Sequence, residues 1–141
     1  MMEADIATNL RLLLVEDDES DAFLTKRAFA DIRGANLMHV PGGQAALDAL
    51  KSARFDLMLL DLNMPGLSGH EVLRSVRNPD NGDLVPIIVF SSSNHPGDVE
   101  QAYEAGANAY LRKPDSLGGY QQVADAVCRF WRDHVQFPGR H

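Results

Sequence analysis

Several reactive side chains stand directly after short apolar runs of the sequence, where they could share one site. They are Glu16, Asp17, Asp61, Ser91 and Lys113. Crowded carboxylates raise each other's pKa unless a cation neutralises them, and hard oxygen ligands suit Mg²⁺. Beside such a cation, the carboxylate of Asp61 can attack phosphorus and form an acyl phosphate. The ammonium of Lys113 can pair with that carboxylate or with phosphoryl oxygens.

Each of these residues also has a simpler explanation when it is taken alone. Asp17, Asp18 and Glu19 are favourable at the start of a helix, as caps or as charges at its positive end. Asp61 could be a structural aspartate, Lys113 a surface lysine and Ser91 part of a turn. The functional interpretation therefore depends on their common position.

That common position follows from alternating apolar runs and helical periodicities, which predict repeated βα units around a parallel sheet. The predicted strands are Leu10–Val15, Leu37–Val40, Leu57–Leu60, Val85–Phe90 and Ala109–Leu111, the first, third and fourth being the most buried. The predicted helices are Ser20–Ile32, Gln44–Ala53, Gly69–Arg77, Pro96–Ala105 and Ser116–His134. Gly34 is expected to end the first helix, and Ser68, Asn94 and Asp115 to start the last three. Ligands of an open parallel sheet bind at the carboxyl ends of its strands, where these reactive side chains lie.

Composition limits the classes of protein that this chain can be. Its 141 residues suffice for one domain with its own core. The net charge of −7 opposes binding to nucleic acid or to anionic lipid. The single cysteine, Cys128, excludes an intramolecular disulfide. The first ten residues lack the basic and apolar segments of a signal peptide, and no run approaches the roughly 20 apolar residues of a membrane span. A cytoplasmic protein that binds neither nucleic acid nor membrane is expected.

Four segments, in order, resemble the receiver domain of two-component response regulators: VEDDE, LLDLNMPGLSG, VPIIVFSSS and AGANAYLRKP. The resemblance implies a flavodoxin-like α/β fold, a doubly wound five-stranded parallel sheet in the order 2-1-3-4-5 with five helices. It assigns residues 10–134 to the receiver, with an N-terminal extension at 1–9, a tail at 135–141 and no effector domain.

The resemblance also implies a role for each matching residue. Asp61 is the phosphoacceptor, assisted by Lys113 and Ser91, and Ser91 and Tyr110 form the switch. The Mg²⁺ (or Mn²⁺) ligands are Glu16, Asp17, Asp61 and the main-chain carbonyl of Asn63. The donor is a sensor histidine kinase, and the Lys113–Pro114 bond is cis. The chain is then no classical enzyme but a signalling switch that catalyses its own phosphorylation and dephosphorylation.

More narrowly, the length, the polar loop at 78–83 and the tail CRFW resemble the stand-alone receivers that accompany bacterial phytochromes. Val123, Cys128 and Phe130 widen the apolar surface of the last helix beyond one stripe, which predicts a homodimer through that helix and the fifth-strand face. The histidines, at 39, 70, 95, 134 and 141, have no metal spacing and are expected on the solvated surface.

Three other classes of protein are less compatible with these residues. A phosphatase of the haloacid dehalogenase type needs a second Asp two residues after its nucleophile, where this chain has Asn63. A flavodoxin needs a phosphate-cradling loop after the first strand, where the acids at 16–19 would repel phosphate. A degenerate receiver that signals without phosphate would not need the intact set of five reactive residues.

Overall fold

The computed structural model of the chain describes residues 9–81 and 83–137. Five strands alternate with five helices along the chain. The strands are β1 (Leu10–Val15), β2 (Ala35–Val40), β3 (Leu57–Leu60), β4 (Ile87–Ser91) and β5 (Ala109–Arg112). The helices are α1 (Glu19–Ala30), α2 (Gly43–Ser52), α3 (Gly69–Arg77), α4 (Pro96–Glu104) and α5 (Leu117–Asp133).

The strands form one parallel sheet in the order β2-β1-β3-β4-β5, which confirms the predicted doubly wound α/β fold. Val15 of β1 pairs with Val40 on one side and with Leu60 on the other. The carboxyl ends of β1, β2 and β3 therefore lie in register, and the residues after them meet at one edge.

The sheet has a separate apolar core on each face. Alternate residues such as Leu12, Leu59 and Phe90 pack against α1 and α5, whereas Leu13, Met58 and Val89 pack against the other helices. The strands β1, β3 and β4 are the most buried, as predicted, because helices cover both of their faces.

Most predicted boundaries are confirmed within two residues, but several start and stop signals were wrong. The cap of α4 is His95, one residue after Asn94, because Pro96 takes the first helical position. The cap of α5 is Ser116, whose Oγ accepts a hydrogen bond from the backbone N–H of Gly119, rather than Asp115. The first helix already ends at Ala30, so Gly34 does not end it and instead leads the chain into β2 with φ of 83°.

The predicted Ser68 cap is confirmed, and it forms a full capping box with Glu71. Asp18 caps α1 by accepting a hydrogen bond from the backbone N–H of Asp21, so the simpler explanation of Asp18 was correct.

Among residues 9–81 and 83–137, no helix is long and apolar enough to cross a membrane.

Candidate metal and phosphoacceptor site

Asp61 is the first residue beyond β3, at the carboxyl edge of the sheet. Its backbone N–H donates to the carbonyl of Val15, which extends the ladder between β1 and β3 by one bond. The residue is only 5% exposed. The N–H of Gly69 donates to the carbonyl of Leu62 and ties the start of α3 to the residue after Asp61. The backbone that carries the carboxylate is thus fixed to β1 and to the start of α3.

Glu16 and Asp17 leave β1 beside Asp61. The N–H of Glu16 donates to the carbonyl of Val40, so β2 holds the start of this acidic pair. Glu16 is buried, and Asp17 is the least buried of the three acids. One carboxylate oxygen from each of Glu16, Asp17 and Asp61 lies within 4.8 Å of the other two. The structure brings the three predicted acidic ligands together.

Lys113, the first residue beyond β5, reaches into this acidic cluster. Its Nζ lies 2.6 Å from Oε1 of Glu16, 2.8 Å from Oδ2 of Asp21 and 3.6 Å from Oδ1 of Asp61. The residue is 8% exposed, which excludes the alternative that it is a surface lysine. The ammonium therefore pairs with Glu16 and Asp21 and lies beside Asp61 without a hydrogen bond to it.

Burial and mutual charge shift the pKa of each group in the cluster. Burial raises the pKa of Glu16 to about 7; the hydrogen bond from Lys113 opposes this shift and the charge of Asp61 adds to it. Burial likewise raises the pKa of Asp61, against the attraction of Lys113. Burial alone would lower the pKa of Lys113, but its hydrogen bonds to Asp21 and Glu16 outweigh that effect and raise it. The ionised forms of these acids are therefore unfavourable here, and a bound divalent cation would stabilise them.

Ser91 and Tyr110 lie on neighbouring strands and meet through the loop after β4. The Oγ of Ser91, which is fully buried, accepts a hydrogen bond of 3.3 Å from the backbone N–H of Ser93. The hydroxyl of Tyr110 donates to the carbonyl of Ser93 at 2.8 Å. The Oγ of Ser93 in turn donates to Asp98 of α4 at 2.6 Å. Ser93 therefore connects the two predicted switch side chains to the helix beyond them.

The donor set fits a hard divalent cation. Its oxygens come from three converging carboxylates, and carboxylate oxygen is the ligand that Mg²⁺ and Mn²⁺ favour. Asn63 follows Asp61 by two residues, and its backbone N–H bonds to the Asp61 carboxylate. A metal-binding role for its carbonyl remains a prediction.

Two residues of the site were missed from the sequence. Asp21 accepts a hydrogen bond from Lys113. The available signal was its position about one helical turn after Asp17, at the start of the first helix. His39, predicted to lie on the solvated surface, instead places Nε2 at 2.8 Å from the carbonyl of Glu16. Its position at the end of β2, next to β1, was the available signal.

The Lys113–Pro114 bond is not cis, since the residues that the structure describes contain no cis peptide bond. That prediction was wrong, and the structure has the isomer that X-Pro bonds favour by about 0.5–1 kcal/mol. The lysine still reaches the acidic cluster.

Comparison with known proteins identifies the family of this chain. The family model of the response regulator receiver domain matches residues 12–122. Response regulator Rcp1 of Synechocystis sp. is 30% identical over 135 residues, which cover 90% of this chain and 92% of Rcp1.

Two solved structures are also similar. The phosphorylated cyanobacterial phytochrome response regulator RcpA is 29% identical with a TM-score of 0.84, covering 92% of this chain and 99% of RcpA. Response regulator RPA3017, in red light signalling of R. palustris, is 29% identical with a TM-score of 0.82, covering 92% of this chain and 98% of RPA3017. The chain belongs to the receiver domain family of two-component response regulators.

Proposed function

We propose that this chain is a response regulator receiver that accepts a phosphoryl group from a sensor histidine kinase onto Asp61 in a Mg²⁺-dependent reaction. The observation that carries the proposal is the buried Asp61 carboxylate, which lies beside both Lys113 and the acidic pair Glu16 and Asp17. Residues 10–134 would form the receiver, and residues 1–9 and 135–141 would flank it. The protein would act in the cytoplasm, where the ATP that charges such kinases is found.

In the proposed reaction, a carboxylate oxygen of Asp61 attacks the phosphorus of a phosphohistidine in line with the P–N bond. The new P–O bond forms as the P–N bond breaks, and the released imidazole nitrogen takes a proton from solvent. Glu16, Asp17, Asp61 and the Asn63 carbonyl would hold the cation, and its charge would neutralise the acids and the phosphoryl oxygens. Lys113 would stabilise those oxygens as a point charge from its fixed position. The chain's contribution is mainly positioning and charge.

Switching would follow from new contacts of the phosphoryl oxygens. The hydroxyl of Ser91 would donate to one of them, and this would change its present bond to Ser93. Because Tyr110 is bonded to the carbonyl of Ser93, the same change would reach β5 and α4. Phosphorylation would thereby bias a pre-existing equilibrium between two arrangements of this surface.

The partner kinase would be a bacterial phytochrome. This part of the proposal rests on the names of similar proteins: RcpA is a phytochrome response regulator and RPA3017 belongs to red light signalling. Phosphotransfer from a purified phytochrome kinase should then be faster than transfer from an unrelated histidine kinase at equal concentration. Equal transfer rates would contradict the phytochrome assignment and leave the role of Asp61 intact.

The central test is phosphate uptake from acetyl phosphate, followed by intact-protein mass. Wild type should gain one acid-labile phosphate in Mg²⁺ and none in EDTA, and Asp61→Asn should gain none. The matched control is Asp56→Asn, because Asp56 is equally buried but lies at the opposite end of β3. Equal uptake by Asp61→Asn and wild type would refute the assignment, and continuous phosphate release would favour a phosphatase.

We further propose that the chain dimerises through α5 and the β5 face. Phe130 is 55% exposed and packs edge-on against Trp131, which also contacts the ring of Phe137. Cys128 is only 1% exposed and belongs to the core, so the prediction that it widens the exposed apolar surface was wrong. Burying this aromatic surface against a second copy would stabilise a dimer.

Sedimentation at micromolar concentration tests the dimer. Phe130→Glu should shift the equilibrium to monomer, whereas Gln121→Glu, the same charge change at an exposed position of α5, should not. A wild type that stays monomeric with and without a phosphate mimic would refute the dimer.

A further inference from the structure

Asp21, in the first turn of α1, is a direct partner of Lys113 although it lies 92 residues away in sequence. Its Oδ2 accepts a hydrogen bond from Nζ at 2.8 Å. Glu16 is the other close partner at 2.6 Å, and Asp61 is distinctly farther at 3.6 Å. Glu16 also belongs to the acidic group whose oxygens converge, and Asp21 does not. Of the two close partners of the lysine, only Asp21 is therefore free of a metal-binding role.

The backbone around Asp21 fixes where its carboxylate can be. Its N–H donates to the capping carboxylate of Asp18 at 2.9 Å, and its carbonyl accepts from Oγ1 of Thr25 at 2.8 Å. Tyr120 of α5 also lies close by. Burial raises the pKa of Tyr120 to about 12, and the negative charge of Asp21 adds to that shift. Asp21 is thus held in a helix and bordered by a second one.

We propose that Asp21 is a positioning residue that anchors Lys113 beside Asp61 without letting it bond to the attacking oxygen. An ammonium has three protons to donate, and Glu16 and Asp21 take the two short contacts. Without Asp21, the ammonium would keep its contact to Glu16, and the next acceptor within reach of its freed proton would be Asp61. A hydrogen bond from Lys113 to Asp61 would occupy a lone pair of the Asp61 oxygen and make that oxygen a weaker nucleophile towards phosphorus. If Glu16 turns towards a cation, Asp21 remains as the anchor.

This inference rests on the proposed role of Asp61, and its first test needs neither metal nor phosphate. Acylation of lysines by acetic anhydride in EDTA, quantified by peptide mass, reports how firmly the structure holds and shields Nζ of Lys113. The exposed Lys26 and Lys51 serve as internal references. Asp21→Ala should speed acylation of Lys113 about threefold to tenfold, because the ammonium loses one of its two short hydrogen bonds to carboxylates.

The matched control is Glu19→Gln, which removes one negative charge from the same helical turn at an exposed position. It should leave acylation of Lys113 unchanged relative to both reference lysines. Asp21→Asn keeps an acceptor of the same shape without the charge, so it should fall between wild type and Asp21→Ala. This variant also keeps the test valid if the alanine variant fails to fold.

The second test is the initial rate of phosphate uptake from acetyl phosphate at saturating Mg²⁺. Asp21→Ala should slow uptake about tenfold, because misplaced catalytic groups lose rate steeply. Glu19→Gln should not slow it, and in a Lys113→Met background Asp21→Ala should have no further effect. Equal slowing by Glu19→Gln, or undiminished slowing without Lys113, would overturn the inference. Phosphate uptake by Asp61→Asn would instead overturn the proposed function, so the two failures can be distinguished.

Discussion

Gly69 is the first residue of α3, and it lies directly against the backbone of Asp61 and Leu62. A Cβ added at Gly69 would lie 2.6 Å from Cα of Leu62 and would also overlap the carbonyl oxygen of Asp61. Ordinary van der Waals contact begins near 3.4 Å, so the Leu62 backbone would have to move by about 0.8 Å. Neither neighbouring atom is at the end of a flexible side chain that could turn away.

Gly69→Ala should therefore destabilise the fold by about 1–3 kcal/mol, the usual cost of forcing extra atoms into a packed site. In a domain of this size that corresponds to a fall in Tm of roughly 3–10 °C. The displaced atoms belong to Asp61 and the residue after it. Phosphate uptake should therefore fall as well, since a 1 Å misplacement can cost about 10²-fold in rate.

Thermal unfolding followed by circular dichroism, together with acetyl phosphate labelling, can measure both effects. The matched control is Gly118→Ala in the first turn of α5, where the nearest atom to the added Cβ is Ser116 Oγ at 3.9 Å. That variant should be as stable as wild type or slightly more stable, because alanine is more favourable than glycine inside a helix. Equal stability and labelling of the two variants would refute the steric argument.

Three further predictions concern Cys128, Arg77 and Asp61. Burial raises the pKa of Cys128 to about 11, so only about 0.1% of the thiol is ionised at pH 8, and iodoacetamide should label it far more slowly in the native than in the urea-unfolded chain. Arg77→Gln, which loses the guanidinium contact to Asn108, should destabilise by about 1–3 kcal/mol in urea titrations, whereas Arg74→Gln at an exposed position should not. Because burial raises the pKa of Asp61, its ionised form opposes folding near pH 7; Asp61→Asn should raise Tm in EDTA and gain less from Mg²⁺ than wild type does.

The sheet and its reactive edge were predictable because local signals agreed. The runs at β1 and β3 were predicted to the residue, since a short apolar run followed by acids has few alternative structures. The segment VPIIVF was predicted two residues too early: Val85 and Pro86 precede β4, and Pro86 has no N–H to donate to a ladder. The caps of α4 and α5 were each misplaced by one residue, since Asn94 and Asp115 are also good capping residues.

The sequence by itself determined the order of strands and helices, the edge at which Glu16, Asp17, Asp61 and Lys113 lie, and the family to which the chain belongs. The order and the edge follow from periodicity and from residue types next to each run, and the family follows from the resemblance of four short segments; all of these are local properties of the chain. Only the tertiary structure decided which carboxylate takes the lysine. The Lys113 ammonium bonds to Asp21 rather than to Asp61, because the fold brings the first turn of α1 within reach of the lysine side chain across 92 residues of chain. Distances between such segments depend on the whole core, which no local pattern records.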